Sequence, residues 1–518
     1  GGVLDDEDRE TLQQHDIELS NATFDALDNE LQNIYAALTQ PTEYLHVSWP
    51  AGDLSGSQLR PSFVVERIRR LFPSVPVTRE TGDYRLLTPA GALEAAGEHP
   101  GGALWQSFAQ SGRWGAALET MRRARSFDRG RLSPEAVRAL YGSSYRMSAS
   151  RMDKLRSCHF GYFMQYGLCA KERKAAGFDA PEIGTFLHYL LENVNREVRA
   201  RGGYGAVERA ALRGLVRQYL EKYSEEQLGG CRDKSARFRY LFSRLRTTAY
   251  AIVENVADEL SQSDFVPLEF ELGFGGRDGQ LPAITIREGE STLAVTGKVD
   301  RVDGWLRDGK LYIRVVDYKT GKKSFDLTDL RYGLGVQMLL YLFALEEEGE
   351  RYFGHPVVPA GVLYTPARDV ILRTERGATE EKIRAALDKE LRRSGMVLAE
   401  PEVLQAMEHS ALEKPCFLPI EVKKGGTITG GLASAAQLGK LGQYVERLLH
   451  EITDELSSGN INADPCSRSP QESSCDWCEY ASACCFEEGR DRRRMMKKVR
   501  DSEFWRFIEQ ETEEVRHG

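Results

Sequence analysis

The sequence predicts an α/β fold, in which a central mixed sheet flanked by helices follows a shorter mixed α/β segment. Three observations predict it. Strand-like runs cluster at 267–275, 293–306, 311–321 and 360–367. Helical patterns border them, from about 182 to 264 on one side and at 434–458 on the other. No internal repeat and no run of 18 or more apolar residues interrupts this order, so a solenoid and a membrane-spanning helix are not expected. With 518 residues, 41% hydrophobic and 28% charged, the chain is long enough for about three domains at ~150 residues each.

Taken in order, the first helix places Leu27, Leu31, Ile34, Tyr35 and Leu38 at helical spacing and stops at Pro41. An alternating strand is expected from Tyr44 to Trp49, then helices at 62–72 and 104–126. No G-x-x-x-x-G-K-[ST] loop occurs, so this chain cannot hold ATP by that route. The polar, acidic start lacks Met and carries neither a signal nor a transit pattern, and is read as a fragment of a longer protein. From about residue 145 the texture changes. Ser148 is an N-cap for a helix running through SASRMDKLRSCHFGYFMQYGL. A further helix is expected at 336–348, between the last two strands, and Gly459 closes the helix at 434–458.

The charge count, 69 Lys+Arg against 78 Asp+Glu, leaves a net −9 and argues against a generally basic nucleic-acid coat. Basic tracks are local. Arg151, Lys154, Arg156, Lys171, Arg173 and Lys174 interleave with Tyr and Phe, a pattern suited to phosphates and stacked bases. The tail 490–500 holds seven Lys/Arg and one Asp, but the acidic stretch after it fits a solvated helix face equally well.

The central strands meet at Arg307-Asp308-Gly309, and Asp-Gly is preferred in two-residue hairpin turns. With 308 and 309 as the loop, Arg307 faces Lys310 and, further back along both strands, Asp300 faces Asp317. Directly opposed Cβ atoms lie about 4.5–5.5 Å apart, so the two carboxylates repel unless a cation lies between them. Lys319 shares the face of Asp317, which continues an apolar face of Leu311, Ile313 and Val315. Two acids and an ammonium around one point suit phosphodiester hydrolysis assisted by Mg²⁺ or Mn²⁺. The bland alternative is a surface hairpin of ordinary Asp and Lys. His188 and Glu192, at i and i+4, can reach a metal or its water together, although a lone His is more often a core residue. Gln337 and Tyr341 form a second i, i+4 pair, otherwise ordinary packing.

In order, GTFLHYLLE, GKVDRVD, VVDYKTG and QMLLY resemble the motifs of the RecB-type branch of the PD-(D/E)xK nucleases. The resemblance implies His188, Asp300 and Asp317 as metal ligands, with the Tyr318 carbonyl a further one. It gives Lys319 the catalytic-lysine role and makes Gln337 and Tyr341 supporting residues.

Cys475, Cys478 and Cys484 form C-x2-C-x5-C, most of a metal site. Nine cysteines, an odd number with no secretory signal, favour a reducing cytosol and a metal or cluster over disulfides. Cys158, beside an aromatic cluster, is the best fourth ligand. Ligand type alone leaves Zn²⁺ open, and Cys485 can replace Cys484. A distant cysteine before the nuclease core and C-x2-C-x5-C beyond it resemble the iron–sulfur staple of AddB-type subunits and of shorter Cas4-like nucleases. That resemblance implies a [4Fe–4S] cluster. Cys169, Cys231, Cys416 and Cys466 read as unligated thiols.

The AddB resemblance covers most of the chain, including QPTEYLHVSWPAGDLSGSQLRPSFVVERIRRLF and AGVLYTPARD. It implies the end of an inactive helicase-like region over 1–144, a nuclease domain with its staple over 145–488, and a charged helical tail over 489–518. It further implies a single-strand DNA exonuclease that cuts the 5′-ended strand in the cytoplasm. Its partner would be an AddA-type helicase–nuclease protein, and its role the resection of double-strand breaks. The alternatives are a non-catalytic DNA-binding scaffold with a decayed site and a stand-alone Cas4-like nuclease.

Overall fold

The computed structural model describes residues 6–15, 23–52, 57–78, 83–125, 129–171, 180–228, 236–275, 279–321, 325–370, 372, 378–469, 472–488 and 490–514. The chain divides into two compact units, Gly1–Ala124 and Arg125–Gly518. The first is helical where described. Its helices include Thr23–Thr39 and Phe63–Leu71, and the stretch expected as one helix at 104–126 is two, Ala103–Gln110 and Gly115–Arg125. The strand expected at 44–49 does not form. Tyr44 is 89% exposed, and the alternation finds no sheet to pair with.

The second unit is built on a six-stranded mixed sheet. Its strands are β1 (Val266–Phe274), β2 (Gly297–Arg307), β3 (Lys310–Lys319), β4 (Val357–Pro366), β5 (Ser394–Leu398) and β6 (Leu432–Ala433), in the spatial order β6-β5-β4-β3-β2-β1. β3 and β4 run parallel, as do β5 and β6; the other neighbours are antiparallel. The run expected as one strand at 293–306 breaks at Thr296. Ser291–Val295 instead joins a separate three-stranded sheet with Ser144–Met147 and Ile284–Glu288. β5 is an element the sequence pattern did not reveal.

The helical region before the sheet resolves into α1 (Ala180–Ala200), α2 (Arg209–Leu228) and α3 (Ala236–Leu260). Phe186, Leu187, Leu190, Leu191, Val194 and Val198 of α1 are buried, a helical stripe that packs with α2, α3 and Tyr318 into one core. A second, larger core gathers β2–β5 with α4 (Gln337–Phe353) and α5 (Ala435–Ser457). α5 starts with a Ser434/Gln437 capping box, and Gly459 follows its end at φ +65. β3 is therefore covered on both faces, with Leu311, Ile313 and Val315 buried on one and Arg314, Val316 and Tyr318 on the other. Residues 129–144 and described residues of the tail also pack within this unit. The Leu132 amide donates to the Gly459 carbonyl at 2.8 Å, and Val499, Phe504 and Ile508 enter the larger core. Among the described residues of the tail only Asp501–Glu514 is helical; 490–500 carries a short strand, Arg494–Met495, beside Cys466–Ser469.

Candidate nuclease site and cysteine module

The site is assembled by the β2–β3 hairpin. Asp308 (φ +50) and Gly309 (φ +75) are both left-handed, as a two-residue Asp-Gly turn requires. Arg307 faces Lys310, and the same register continues to Arg301 opposite Val316. One residue further along, Asp300 comes level with Asp317, and its Oδ2 accepts the Tyr318 amide at 2.8 Å. On the other side of β2, Phe270 faces Arg301 and Leu272 faces Val299, which brings Glu271 beside Asp300. Glu271 is held at φ +52, a left-handed conformation that a non-glycine strand residue adopts only under strain.

α1 delivers His188 to this row. Its Nδ1 lies 3.2 Å from Asp300 Oδ1 and 3.8 Å from Glu271 Oε1. One ligand atom each from His188, Glu271 and Asp300 falls within 4.8 Å of the others, the metal-sized group found among the described residues. Glu271 is thus the site residue the sequence reading missed, and Glu192, expected to act with His188, pairs instead with Arg196 at 3.1 Å. Asp317 lies beside this group, 5% exposed, with Lys319 Nζ 2.6 Å from its Oδ2. The Lys319 ammonium also sits 5.3 Å from the Tyr364 ring centroid.

The electrostatics match a site built for a cation. Burial and the facing Asp300 charge push Asp317 up to about 6, against the pull of Lys319. Burial works against the charged form of His188, but its hydrogen bonds to Asp300 and Glu271 outweigh it and raise the imidazole to about 10. Burial likewise opposes the Glu271 carboxylate, yet His188 and Lys298 (Nζ 3.0 Å from Oε2) hold its pKa below the ordinary value. Two neighbouring carboxylates, a third acid and an imidazole fit a hard divalent ion such as Mg²⁺ or Mn²⁺.

Tyr341 and Gln337 support this row from α4. Tyr341 is 3% exposed, stacks on Phe274 at 5.3 Å and 10°, and lies over Gly297 at the start of β2. Its hydroxyl interacts with the Gln337 side chain and the Lys298 backbone and feels the charges of Asp317 and Asp300.

Comparison with known proteins gives the family of the chain. The PD-(D/E)XK nuclease superfamily matches residues 146–485. The chain belongs to that superfamily. It is also similar to the B-type subunit of the ATP-dependent helicase/deoxyribonuclease of Acetivibrio thermocellus, 32% identical over 99% of the chain and 47% of the relative. The proteins of the same name from Clostridium acetobutylicum (30%, 99% and 47%) and Ruminiclostridium cellulolyticum (30%, 98% and 46%) are comparable. The chain therefore spans about half the length of the curated relatives it matches. No helix among the described residues is long and apolar enough to cross a membrane.

This PD-(D/E)XK chain also carries the cysteine module. The helix expected from Ser148 is N-capped by Ser148 as expected, but it ends at Ser157, because Cys158 turns extended (φ −170) before a new turn at His159–Tyr162. The Cys158 turn is tied to the C-terminal segment. The Phe160 amide donates to the Asn462 carbonyl at 2.9 Å, the His159 amide to Asp464 Oδ1 at 3.0 Å, and Ser474 Oγ to the Ser157 carbonyl at 3.4 Å. Burial pushes the Cys158 thiol up to about 11, with a further contribution from Cys484. Burial raises Cys484 too, which in turn feels Cys475 and Cys478. The hydrogen bonds that tie the Cys158 turn to the C-terminal segment bring Cys158 near Cys484, but among the described residues the four thiols do not form a group tight enough for a single ion. Cys485 is exposed at φ +48, its Sγ directed at the Ser482 carbonyl. Cys466 is buried and its Sγ donates to the Arg156 carbonyl at 3.2 Å, while Cys169 is exposed. Cys231 lies outside the described residues.

Of the basic residues expected to meet DNA, Arg151 is exposed with its guanidinium 4.7 Å from the Tyr166 ring, and Lys171 is exposed. Arg156 is committed inside the fold, 2.5 Å from Glu455 and 3.6 Å from Glu451. Arg173 and Lys174 lie outside the described residues. In the tail, Arg490, Arg493 and Arg494 pair with Glu487, Glu488 and Asp464.

Proposed function

We propose that this chain is the nuclease part of a helicase–nuclease complex and hydrolyses single-stranded DNA with a divalent metal ion. The observation that carries the reading is the row Glu271, Asp300 and Asp317 across three adjacent strands, with His188 above it and Lys319 beside Asp317. His188, Glu271, Asp300, Asp317 and the Tyr318 carbonyl would hold the ion. When bound there, a hard divalent ion polarises a phosphate oxygen and eases deprotonation of water. Lys319 orients the attacking water or neutralises charge developing on the phosphate. Gln337 and Tyr341 hold the start of β2 against α4. Arg151 and Lys171 are the basic side chains available for phosphates on the aromatic face beside the cysteine module.

Cys158, Cys475, Cys478 and Cys484 would hold a [4Fe–4S] cluster whose role is to fasten the two ends of the nuclease domain. Residues 1–144 are read as the end of a helicase-like region without a G-x-x-x-x-G-K-[ST] loop, its last part (from Arg125) packing with the nuclease unit. The whole protein, with an AddA-type partner, would act in the cytoplasm on broken DNA ends, cutting the 5′-ended strand during resection for recombination.

The test compares wild type with Asp317→Ala for Mg²⁺-dependent degradation of single-stranded DNA. Activity should fall by at least about three orders of magnitude, as loss of a residue acting in the transition state does. Activity that survives the substitution refutes the catalytic assignment. For the cluster, iron and acid-labile sulfide are measured after anaerobic purification of wild type and Cys158→Ser. A colourless wild type carrying one zinc refutes the iron–sulfur reading.

A further inference from the structure

We propose that Arg301, acting through the hydroxyl of Tyr318, is a positioning residue that fixes the segment carrying Asp317 and Lys319. The inference rests on the nuclease reading and adds to it a group on the opposite face of the sheet.

Neighbouring residues of a strand point to opposite faces, so Asp300 and Arg301 approach Tyr318 from two sides. Asp300 Oδ2 accepts the Tyr318 amide at 2.8 Å. Arg301 Nη1 donates to Tyr318 Oη at 2.8 Å, and Asn195 Nδ2 of α1 donates to the same oxygen at 3.3 Å. The peptide between Asp317 and Lys319 is gripped at its backbone and at the far end of its side chain. A rotation of Tyr318 about the strand axis would swing both of its reactive neighbours.

Arg301 is itself fully buried and held at three of its guanidinium nitrogens. Its Nε and Nη2 donate to the two oxygens of Asp303 at 2.8 and 2.9 Å, and Arg314 Nε donates to Asp303 Oδ2 at 2.9 Å. Arg314 Nη2 lies 3.3 Å from Glu259 of α3, whose other oxygen takes Arg393 Nη2 at 2.6 Å. All five charged groups are at most 2% exposed. A buried ionic network of this kind adds little net stability compared with a well-packed apolar core, whereas it defines one geometry sharply. Here that geometry ends on the hydroxyl of the residue between the two reactive side chains.

Tyr318→Phe in the full chain removes only the hydroxyl. Mn²⁺ binding is followed by electron paramagnetic resonance of the free ion, alongside kcat and KM on single-stranded DNA and unfolding in urea. The expected result is Mn²⁺ affinity weakened about three- to tenfold and kcat lowered about tenfold, with KM for DNA unchanged, the scale of one uncompensated hydrogen bond. Arg301→Lys, which keeps the charge and loses the fork, should give the same pattern. A Tyr318→Phe protein that is less stable but keeps wild-type Mn²⁺ affinity and kcat overturns the proposal. A wild type that binds Mn²⁺ without cutting DNA sinks the nuclease reading instead, and the Mn²⁺ affinities still decide the positioning role.

Discussion

Gly297→Ala tests how closely α4 holds the catalytic strand. Gly297 opens β2 three residues before Asp300, and an added Cβ would come within 2.6 Å of Tyr341 Cζ and 2.8 Å of Cε1, and closer still to its hydroxyl. The ring has little room to yield, being buried and stacked flat on Phe274. Overpacking of this kind costs about 1–3 kcal/mol, and the lower backbone entropy of alanine in the unfolded chain returns at most about 1 kcal/mol. The expected net loss is about 1–2 kcal/mol, read as a lower urea midpoint by circular dichroism. Because the strand or the ring must shift next to Asp300, metal-dependent cleavage should fall about tenfold or more, beyond what the lost stability explains. Combining Gly297→Ala with Tyr341→Leu removes the obstacle. The double variant should then be more stable than the sum of the single losses predicts, by about 1 kcal/mol. An alanine variant as stable and active as wild type, or strictly additive losses, would refute the argument that the tyrosine hydroxyl occupies the space above Gly297.

Glu271→Gln keeps the shape and removes the charge, and should weaken Mn²⁺ binding at least about tenfold by titration; wild-type affinity would remove Glu271 from the ligand set. Glu259→Gln leaves three buried arginines facing one acid, and should cost about 3–5 kcal/mol in urea unfolding, with a loss under 1 kcal/mol contradicting the network described. Glu259 also sets an acid limit. Burial opposes its charge, but Arg393, Arg314 and Arg301 hold its pKa down to about 2 from an ordinary 4.5. A depressed carboxylate stabilises the fold above its ordinary pKa, so roughly 3 kcal/mol of stability should disappear as pH falls from about 4.5 towards 2. Glu259→Gln should flatten that part of the curve of stability against pH.

The hairpin was legible because its signals are local. Asp308-Gly309 fixes the turn, the turn fixes the register, and the register brings Asp300 to Asp317. Ser148 as a cap and Gly459 as a helix stop were legible for the same reason. Glu271 was not, because its place beside Asp300 depends on which strand pairs with the far edge of β2, and its left-handed backbone has no glycine to announce it. Arg301, Asp303 and Arg314 drew no reading from the sequence, since charges on a hairpin carry no local sign of burial. Only the packing of α1 and α3 over that face, with Glu259 supplied from a distant helix, shows them to be buried. The break at Cys158 was hidden inside a continuous helical pattern. The strand expected at 44–49 failed in the opposite sense: its residue types alternate, but it does not form a strand and pairs with nothing among the described residues.

Burial of β3 on both faces also sets the timescale on which the site can come apart. Amide protons in such a strand exchange with solvent only when most of the unit opens, so residues 313–318 belong with the slowest-exchanging amides of the molecule. Asp317 is therefore expected in a persistent part of the fold rather than on a loop that opens by itself. No partial melting short of general unfolding should disarm it, and loss of activity on heating should coincide with exposure of the β3 amides. Variation in what the protein cuts, or when, would then have to come from the surfaces around this strand, since the strand itself has almost no freedom to give.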